Sequence, residues 1–312
     1  MTRPILSPPT GFASPTIDKV ERLLELLGEI EQHRYLGPRL VLHGGTALNV
    51  FHLELPRLSV DIDVLYVGST DREIMLAERG IVRAEVESLV RRMGYRLNDP
   101  GDEHAGVTYR LTYGTDYGQD SIKVDLNFLN RSPVLGHEMR VCPYCRPQLS
   151  FKVVPYLELI AGKLKALLER RHPAVRDLYD LHRAAARDVE DRELFRALVV
   201  YYWSLADPFP CPVDVRVVER FSGEERAVES ELYPVLTATE RPTLGEMQHT
   251  VAGFVESLLP LDDEHEEYLR RMGGLGDYQP DLLFARWPDA LERARNSPAA
   301  EWKTLNLRRR PR

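Results

Sequence analysis

Two acidic residues, Asp61 and Asp63, carry the clearest chemical signal in the sequence. They end the segment Arg57-Leu-Ser-Val-Asp-Ile-Asp63, in which polar and apolar residues alternate. Because side chains of a strand repeat every two residues, this alternation predicts that Arg57, Ser59, Asp61 and Asp63 share one face. Two carboxylates this close repel each other unless a hard divalent cation such as Mg²⁺ or Mn²⁺ binds their oxygens. The segment therefore predicts a metal site at Asp61 and Asp63.

A glycine pair precedes this segment. Gly44 and Gly45 follow the short apolar strand predicted over residues 39–43, and a helix is predicted to begin at Thr46. Glycines let the backbone approach a phosphate closely, and N–H groups at a helix start favour an anion. Each motif alone is common in proteins that have no such site. Together and in this order they predict a triphosphate held over a metal, with Arg57 and Ser59 as further phosphate contacts.

A third carboxylate, Asp125, lies on a second predicted strand. In the segment 121–128, Lys123, Asp125 and Asn127 alternate with apolar residues and are predicted to share the polar face. Acidic residues on neighbouring strands can hold two metal ions, of which one activates an attacking hydroxyl and the other stabilises a leaving group. Asp125 is therefore the third predicted metal ligand.

The periodicity of the remaining chain predicts two lobes. A Pro- and Ser-rich flexible leader over 1–16 precedes a helix over 17–32, a helix over 72–93 and strands near 95–97 and 107–113. The segment 130–150 shows little periodicity, which places a boundary near residue 150. Apolar stripes at helical spacing then predict helices over 156–168, 175–187, 192–205, 213–221, 244–259 and 262–272. We expect an α+β protein with a mixed-sheet lobe over 17–150 and a helical lobe over 151–312, ending in the basic tail 308–312.

Composition sets the broad class. The 312 residues are 43% hydrophobic and 29% charged, as in ordinary globular proteins, and no apolar run is long enough for a membrane span. The formal charge of −7 excludes a uniformly basic nucleic-acid binder but is compatible with a local basic surface. Three cysteines are too few for a secreted disulfide framework. We expect a cytoplasmic monomer.

Four motifs resemble those of the AbiEii/AbiGii-type toxin nucleotidyltransferases, which include the MenT toxins and belong to the DNA polymerase β-like superfamily. The motifs are His43-Gly-Gly-Thr-Ala-Leu48, Arg57-x-Ser-x-Asp-Ile-Asp63, Lys163-Leu-Lys-Ala-Leu167 and Arg176-Asp-Leu-Tyr-Asp-Leu181. The first two are shared across the superfamily, and the last two are specific to this branch. The resemblance covers about residues 40–185.

The resemblance implies a magnesium-dependent enzyme that moves a nucleoside monophosphate from an NTP onto the 3′ acceptor end of tRNA and so blocks translation. It also implies a cognate antitoxin. In some relatives an antitoxin phosphorylates a hydroxyl residue at the site, and Ser59 occupies the matching position. The residues alone leave two alternatives open: transfer to a small molecule or a protein hydroxyl, and a non-catalytic partner that binds nucleotide. They do not identify the NTP, the tRNA or the type of antitoxin.

The second lobe contributes Lys163, Asp177 and Asp180 to the expected site. Lys163 borders the apolar stripe of its helix and therefore needs an anionic partner, which we predict to be the triphosphate. Asp177 is expected to orient Lys163 or the acceptor hydroxyl. Asp180 is a secondary candidate, because an acidic residue early in a helix is also favoured by the helix dipole.

Cys142 and Cys145 have the spacing of half a zinc site. Only His137 and Cys211 are available as further ligands, so the sequence favours a pair of loop thiols over a metal site.

Overall fold

The computed structural model describes residues 3–8, 11–98, 100–103, 105–116, 118–170, 172, 174–211 and 214–309. The chain divides into two compact units. The first unit consists of Met1–Arg131, His137–Val154 and Val235–Thr239. The second consists of Ser132–Gly136, Pro155–Pro234 and Glu240–Arg312.

The first unit is a mixed sheet with helices. Its helices are α1 (Ser14–Gln32), the short α2 (Gly44–Thr46), which continues as a π-helix over Ala47–His52, and α3 (Arg72–Arg92). Its strands are β1 (Ile5–Leu6), β2 (Leu40–His43), β3 (Asp61–Tyr66), β4 (Arg96–Leu97), β5 (Gly101–Glu103), β6 (Gly106–Thr115), β7 (Gly118–Asn127), β8 (Glu138–Cys142), β9 (Cys145–Arg146) and β10 (Leu149–Val153).

Eight of these strands form one sheet in the order β4-β6-β7-β3-β2-β10-β8, with β5 beside β6. The pairs β3–β7 and β10–β2 are parallel, and the other pairs are antiparallel. Apolar side chains of β3 and β7 lie on one face, where they line a small apolar cavity together with residues of α1 and α3. The alternation of buried and half-buried residues along β3 and β7 leaves the acidic side chains on the opposite face.

The N-terminal end differs from the sequence prediction. The predicted leader ran to residue 16, but α1 begins at Ser14, with Pro15 in its first turn. Ile5 and Leu6 form β1, which pairs with β9. Arg3 also forms an ion pair with Asp18 at 2.6 Å.

The segment 130–150, whose sequence shows little periodicity, contains strands in its second half. β8 and the first residues of β10 lie there, and both belong to the main sheet. Cys142 and Cys145 are joined in a disulfide. The cysteines are therefore not loop thiols. Among the described residues, no three His, Cys, Asp or Glu side chains form a ready metal-binding group.

The described part of the second unit is helical. Its α-helices are α4 (Tyr156–Glu169), α5 (Val175–Ala185), α6 (Arg192–Ser204), α7 (Glu225–Ala227), α8 (Leu244–Glu256), α9 (Asp263–Leu275), α10 (Asp281–Phe284), α11 (Pro288–Arg295) and α12 (Pro298–Arg309). A 3₁₀-helix spans Val215–Phe221, a π-helix Val228–Leu232 and a 3₁₀ turn Tyr233–Val235. This architecture confirms the predicted α+β class.

The C-terminal end also differs from its prediction. Arg308 and Arg309 belong to α12, and Arg308 donates a hydrogen bond to the Gly276 carbonyl at 3.1 Å. The rest of the predicted basic tail, residues 310–312, lies outside the described residues. No helix in the described ranges is long and apolar enough to cross a membrane.

Candidate active site

The paired carboxylates stand at the start of β3. Asp61 and Asp63 are half-buried, and Ile62 and Val64 between and after them are buried, which confirms the predicted alternation. β3 begins at Asp61, so the prediction that Arg57 and Ser59 are strand residues on the same face is wrong. Both side chains are buried before the strand begins.

The reason for this difference lies far away in the sequence. The backbone N–H of Leu58 donates to the Val235 carbonyl at 2.9 Å, so Leu58 pairs with a returning segment instead of a neighbouring strand. Arg57 folds back and donates from Nη1 to the Leu58 carbonyl at 3.1 Å. Arg57 therefore helps to shape the chain that leads into Asp61.

The glycine pair fits directly against these residues. Gly44 has a φ of 70°, and a Cβ atom at position 44 would lie 2.3 Å from Asp63 Oδ2. A Cβ atom at Gly45 would lie 2.7 Å from Arg57 Nη2 and 3.0 Å from Ser59 Oγ. Only glycine fits at either position without displacing a neighbour. The helix begins at Gly44 rather than at Thr46, so both glycines belong to its first turn.

Thr46 and Ser59 are joined inside the first unit. Their hydroxyl oxygens lie 2.9 Å apart, and Thr46 Oγ1 donates to the Asp61 carbonyl at 2.5 Å. The side chain of Thr46 is fully buried. This hydroxyl pair fixes the backbone of Asp61 relative to the glycine turn.

Asp125 lies beside Asp63 in the register of the parallel pair β3–β7. Its two oxygens already have partners, since Thr108 Oγ1 donates to Oδ1 at 2.6 Å and Lys123 Nζ lies 2.5 Å from Oδ2. The carboxylates of Asp61 and Asp63 are the hard oxygen donors that Mg²⁺ or Mn²⁺ prefers. They fit such an ion in kind, whereas Asp125 would share its carboxylate between the ion, Thr108 and Lys123.

The second unit contains a buried charge cluster. Lys163 Nζ lies 2.5 Å from Asp177 Oδ1 and 2.9 Å from Asp180 Oδ2, and Arg170 Nε lies 2.9 Å from Asp177 Oδ2. The side chains of Lys163 and both aspartates are largely buried. Buried charges must be paired, so two carboxylates stabilise the ammonium group.

Glu158 is a buried acid that sequence analysis missed. It accepts hydrogen bonds from the N–H groups of Val134 and Leu135 at 2.6 and 2.8 Å and from the Tyr202 hydroxyl at 2.5 Å. Burial raises the pKa of Glu158 to about 7, although these donors act in the opposite direction. Its position between Leu157 and Leu159 was the available signal, because an acid inside an apolar helix segment requires buried donors.

The Asp-x-Asp strand beside a glycine helix start, in a mixed sheet that precedes a mainly helical unit in the chain, agrees with the nucleotidyltransferase class that the motifs predict. A family match makes this more specific. Residues 25–293 match the model described as nucleotidyl transferase AbiEii toxin of type IV toxin–antitoxin systems. The chain belongs to this family of toxin nucleotidyltransferases, which confirms the resemblance.

Solved structures support the fold. The chain is similar to MenT4, a nucleotidyltransferase toxin from Mycobacterium tuberculosis H37Rv, with a TM-score of 0.57 and 22% identity over 94% of this chain and 93% of that chain. It is also similar to a putative nucleotidyltransferase from Helicobacter pylori, with a TM-score of 0.50 and 18% identity over 84% of this chain and 99% of that chain. No curated protein sequence matches the chain at a significant level.

Proposed function

We propose that this toxin nucleotidyltransferase transfers a nucleoside monophosphate from an NTP to the 3′ acceptor end of tRNA and thereby blocks translation. The observation that carries the proposal is the fit of Gly44 against the Asp63 carboxylate. The backbone that would bind phosphate and the side chain that would bind a cation approach so closely that no side chain fits between them. Such a contact is suited to holding a triphosphate over a metal ion.

The cation we propose is Mg²⁺ or Mn²⁺ at Asp61 and Asp63, with Asp125 as a further ligand. When bound, it would neutralise charge that develops on the phosphates. The backbone at Gly44, Gly45 and Thr46 would hold the triphosphate, because its N–H groups begin a helix.

The buried positions of Arg57 and Ser59 favour a supporting role over direct contact with the nucleotide. Each would meet a Cβ atom at Gly45, and each has a polar contact within the first unit. They would hold the turn at Gly44 and Gly45 in place beside Asp61. Ser59 is only 5% exposed, so phosphorylation by an antitoxin would require the segment 57–60 to separate from Thr46.

Lys163, Asp177 and Asp180 are proposed for the same reaction. Lys163 would act as a catalytic cation, and the two aspartates would hold its ammonium group in place. Lys163→Met is then expected to abolish transfer at unchanged affinity for tRNA, under conditions in which thermal melting shows the variant to be folded. Lys165→Met is the control, since Lys165 lies on the same helix and pairs instead with Glu169 at 2.8 Å.

Label transfer from α-³²P-NTP to purified tRNA tests the proposal. Wild-type protein should label tRNA at its 3′ end, and Asp61→Asn and Asp63→Asn should not. Asp116→Asn is the matched control, because Asp116 is an exposed acid between β6 and β7, away from the paired carboxylates. If no tRNA is labelled and a small molecule or a protein is labelled instead, that molecule and not tRNA is the acceptor.

A cell-free translation reaction separates catalysis from binding. The wild-type protein should stop protein synthesis, and Asp61→Asn should not. Undiminished inhibition by Asp61→Asn and Asp63→Asn would contradict the proposal and favour a non-catalytic nucleotide-binding role.

Family membership also supports an antitoxin partner. Co-expression with the neighbouring gene, followed by co-purification and mass spectrometry of the Ser59 peptide, would show whether neutralisation works by binding or by modification. A neighbour that neither binds the protein nor modifies it would contradict the partner proposal.

A further inference from the structure

A line of cations crosses the polar face of the sheet beside the acidic residues. The register of the sheet places Lys123 between Asp61 of β3 and Arg110 of β6. Arg96 of β4 pairs with Thr112, which lies two residues beyond Arg110 on the same face of β6. Lys123, Arg110 and Arg96 therefore follow one another from Asp61 to the β4 end of the sheet. We call these three residues the cation line.

The cation line is electrostatically unfavourable as it stands. Lys123 and Arg110 are direct cross-strand partners, and like charges in such positions are destabilising. Lys123 is turned toward Asp125. Arg110 donates only a long hydrogen bond, of 3.4 Å, to Ser121 Oγ.

Arg110 and Arg96 differ from the arginines on the helical surfaces. Both are exposed, and neither forms an ion pair with a carboxylate in the described part of the chain. On α3 and α9, by contrast, Arg91 pairs with Glu87 and Arg270 with Glu267. An external anion could pair with Arg96 and Arg110, for which the described part of the chain supplies no carboxylate.

We propose that the cation line binds the phosphate backbone of the acceptor RNA and leads its 3′ end to Asp61 and Asp63; this rests on the proposed function. Neighbouring strands lie about 4.8 Å apart, so the line spans roughly 10 Å and suits consecutive phosphates. Hydroxyl groups flank it at Thr112 and Ser121, and such groups commonly donate to phosphates.

The triphosphate of the NTP is a second source of the same chemistry. An NTP whose phosphates are held at the glycine turn and Asp61 reaches at most Lys123, the member of the line nearest to Asp61. Arg96 lies two strands further away, at the end of the sheet. The length of the cation line therefore favours an RNA backbone over the triphosphate of an NTP as its ligand.

The test is the binding of tRNA to the full-length protein, measured by fluorescence anisotropy at several salt concentrations without NTP. The variant is the double substitution Arg96→Gln and Arg110→Gln. Loss of two phosphate contacts should weaken binding about tenfold and lower the slope of log K against log salt by about 1.4. Arg92→Gln is the control, because Arg92 is exposed on α3, which packs on the opposite face, and binding should not change.

Kinetics and a conservative variant sharpen the result. The double variant should raise KM for tRNA and leave KM for NTP unchanged, and Arg110→Lys should restore most of the binding that Arg110→Gln alone loses. Thermal melting shows that each variant is folded. Unchanged tRNA affinity and salt slope in the folded double variant would overturn the proposal, as would a rise in KM for NTP alone.

Failure of the proposed function gives a different outcome. If the wild-type protein binds tRNA through Arg96 and Arg110 but transfers no label to it, the binding role of the cation line is supported and tRNA is refuted as the acceptor. If the wild type and the double variant label tRNA with equal efficiency, the proposed function is supported and the binding role of the cation line is refuted.

Discussion

Gly44→Ala tests the close contact at the centre of the site. A methyl group at position 44 would lie 2.3 Å from Asp63 Oδ2, so the carboxylate must move by about 1 Å to reach ordinary contact distance. Forcing a side chain off its rotamer costs about 0.5–1.5 kcal/mol. The φ of 70° adds the strain of alanine in the left-handed region, about 1–2 kcal/mol. We expect the free energy of unfolding to fall by roughly 2–3 kcal/mol.

Gly94→Ala separates these two contributions. Gly94 has a φ of 85°, and a Cβ atom there would meet nothing within 4 Å. This variant therefore carries backbone strain without the contact, and we expect a loss of only about 1–2 kcal/mol. Urea denaturation of both variants gives the difference, which measures the displacement of Asp63.

Label transfer completes the comparison. A displacement of about 1 Å in a reacting site lowers the rate by roughly 10²-fold, which we expect for Gly44→Ala. Gly94→Ala should transfer label at the wild-type rate when assayed well below its melting temperature. Wild-type activity in Gly44→Ala, or equal losses of activity in both variants, would refute the reasoning.

Three further variants test other parts of the structure. The folded-state pKa of Glu158, raised from 4.5 to about 7, means that the native state binds the proton more tightly. The stabilising contribution of the Glu158 proton is fully present below pH 4.5, and the free energy of unfolding falls by about 3 kcal/mol as the pH rises to 7. Urea melts at pH 5 and pH 8 should show a smaller loss for Glu158→Gln than for the wild type. An equal loss in both proteins would contradict the prediction. Thr46→Val removes a buried hydroxyl with two partners and should cost about 1–3 kcal/mol by thermal denaturation, whereas Thr46→Ser should cost less. Lys123→Met removes the ammonium group that pairs with Asp125 and should lower the Kd for Mn²⁺ up to about fivefold, as measured by calorimetry. Lys152→Met is the control, because Lys152 pairs with Glu31 elsewhere in the sheet, and its Kd for Mn²⁺ should not change.

Local patterns predicted the elements that carry the paired carboxylates. The alternation around Ile62 and along β7 correctly placed Asp61, Asp63 and Asp125 opposite the apolar face, because a half-buried strand imposes this period on its sequence. Apolar residues at helical spacing likewise predicted α1 and α3 to within a few residues.

Long-range pairing explains the failures. The alternation continues back through Ser59 to Arg57, but a hydrogen bond from Leu58 to Val235 ends the strand there, and no local pattern reveals it. β8 was missed because three of its five residues are exposed, which leaves little alternation to detect. Lys123 was placed on the polar face, yet its contact with Asp125 depends on which strands become neighbours.

The segment Val235–Thr239 belongs to the first unit although the preceding 80 residues, from Pro155 to Pro234, belong to the second. During synthesis, the chain leading into Asp61 lacks its partner until residue 235 has emerged from the ribosome. A nascent chain stopped at residue 154 would contain the candidate carboxylates Asp61 and Asp63 but not the segment that pairs with Leu58. This connectivity makes the support of the chain leading into Asp61 depend on synthesis as far as residue 235.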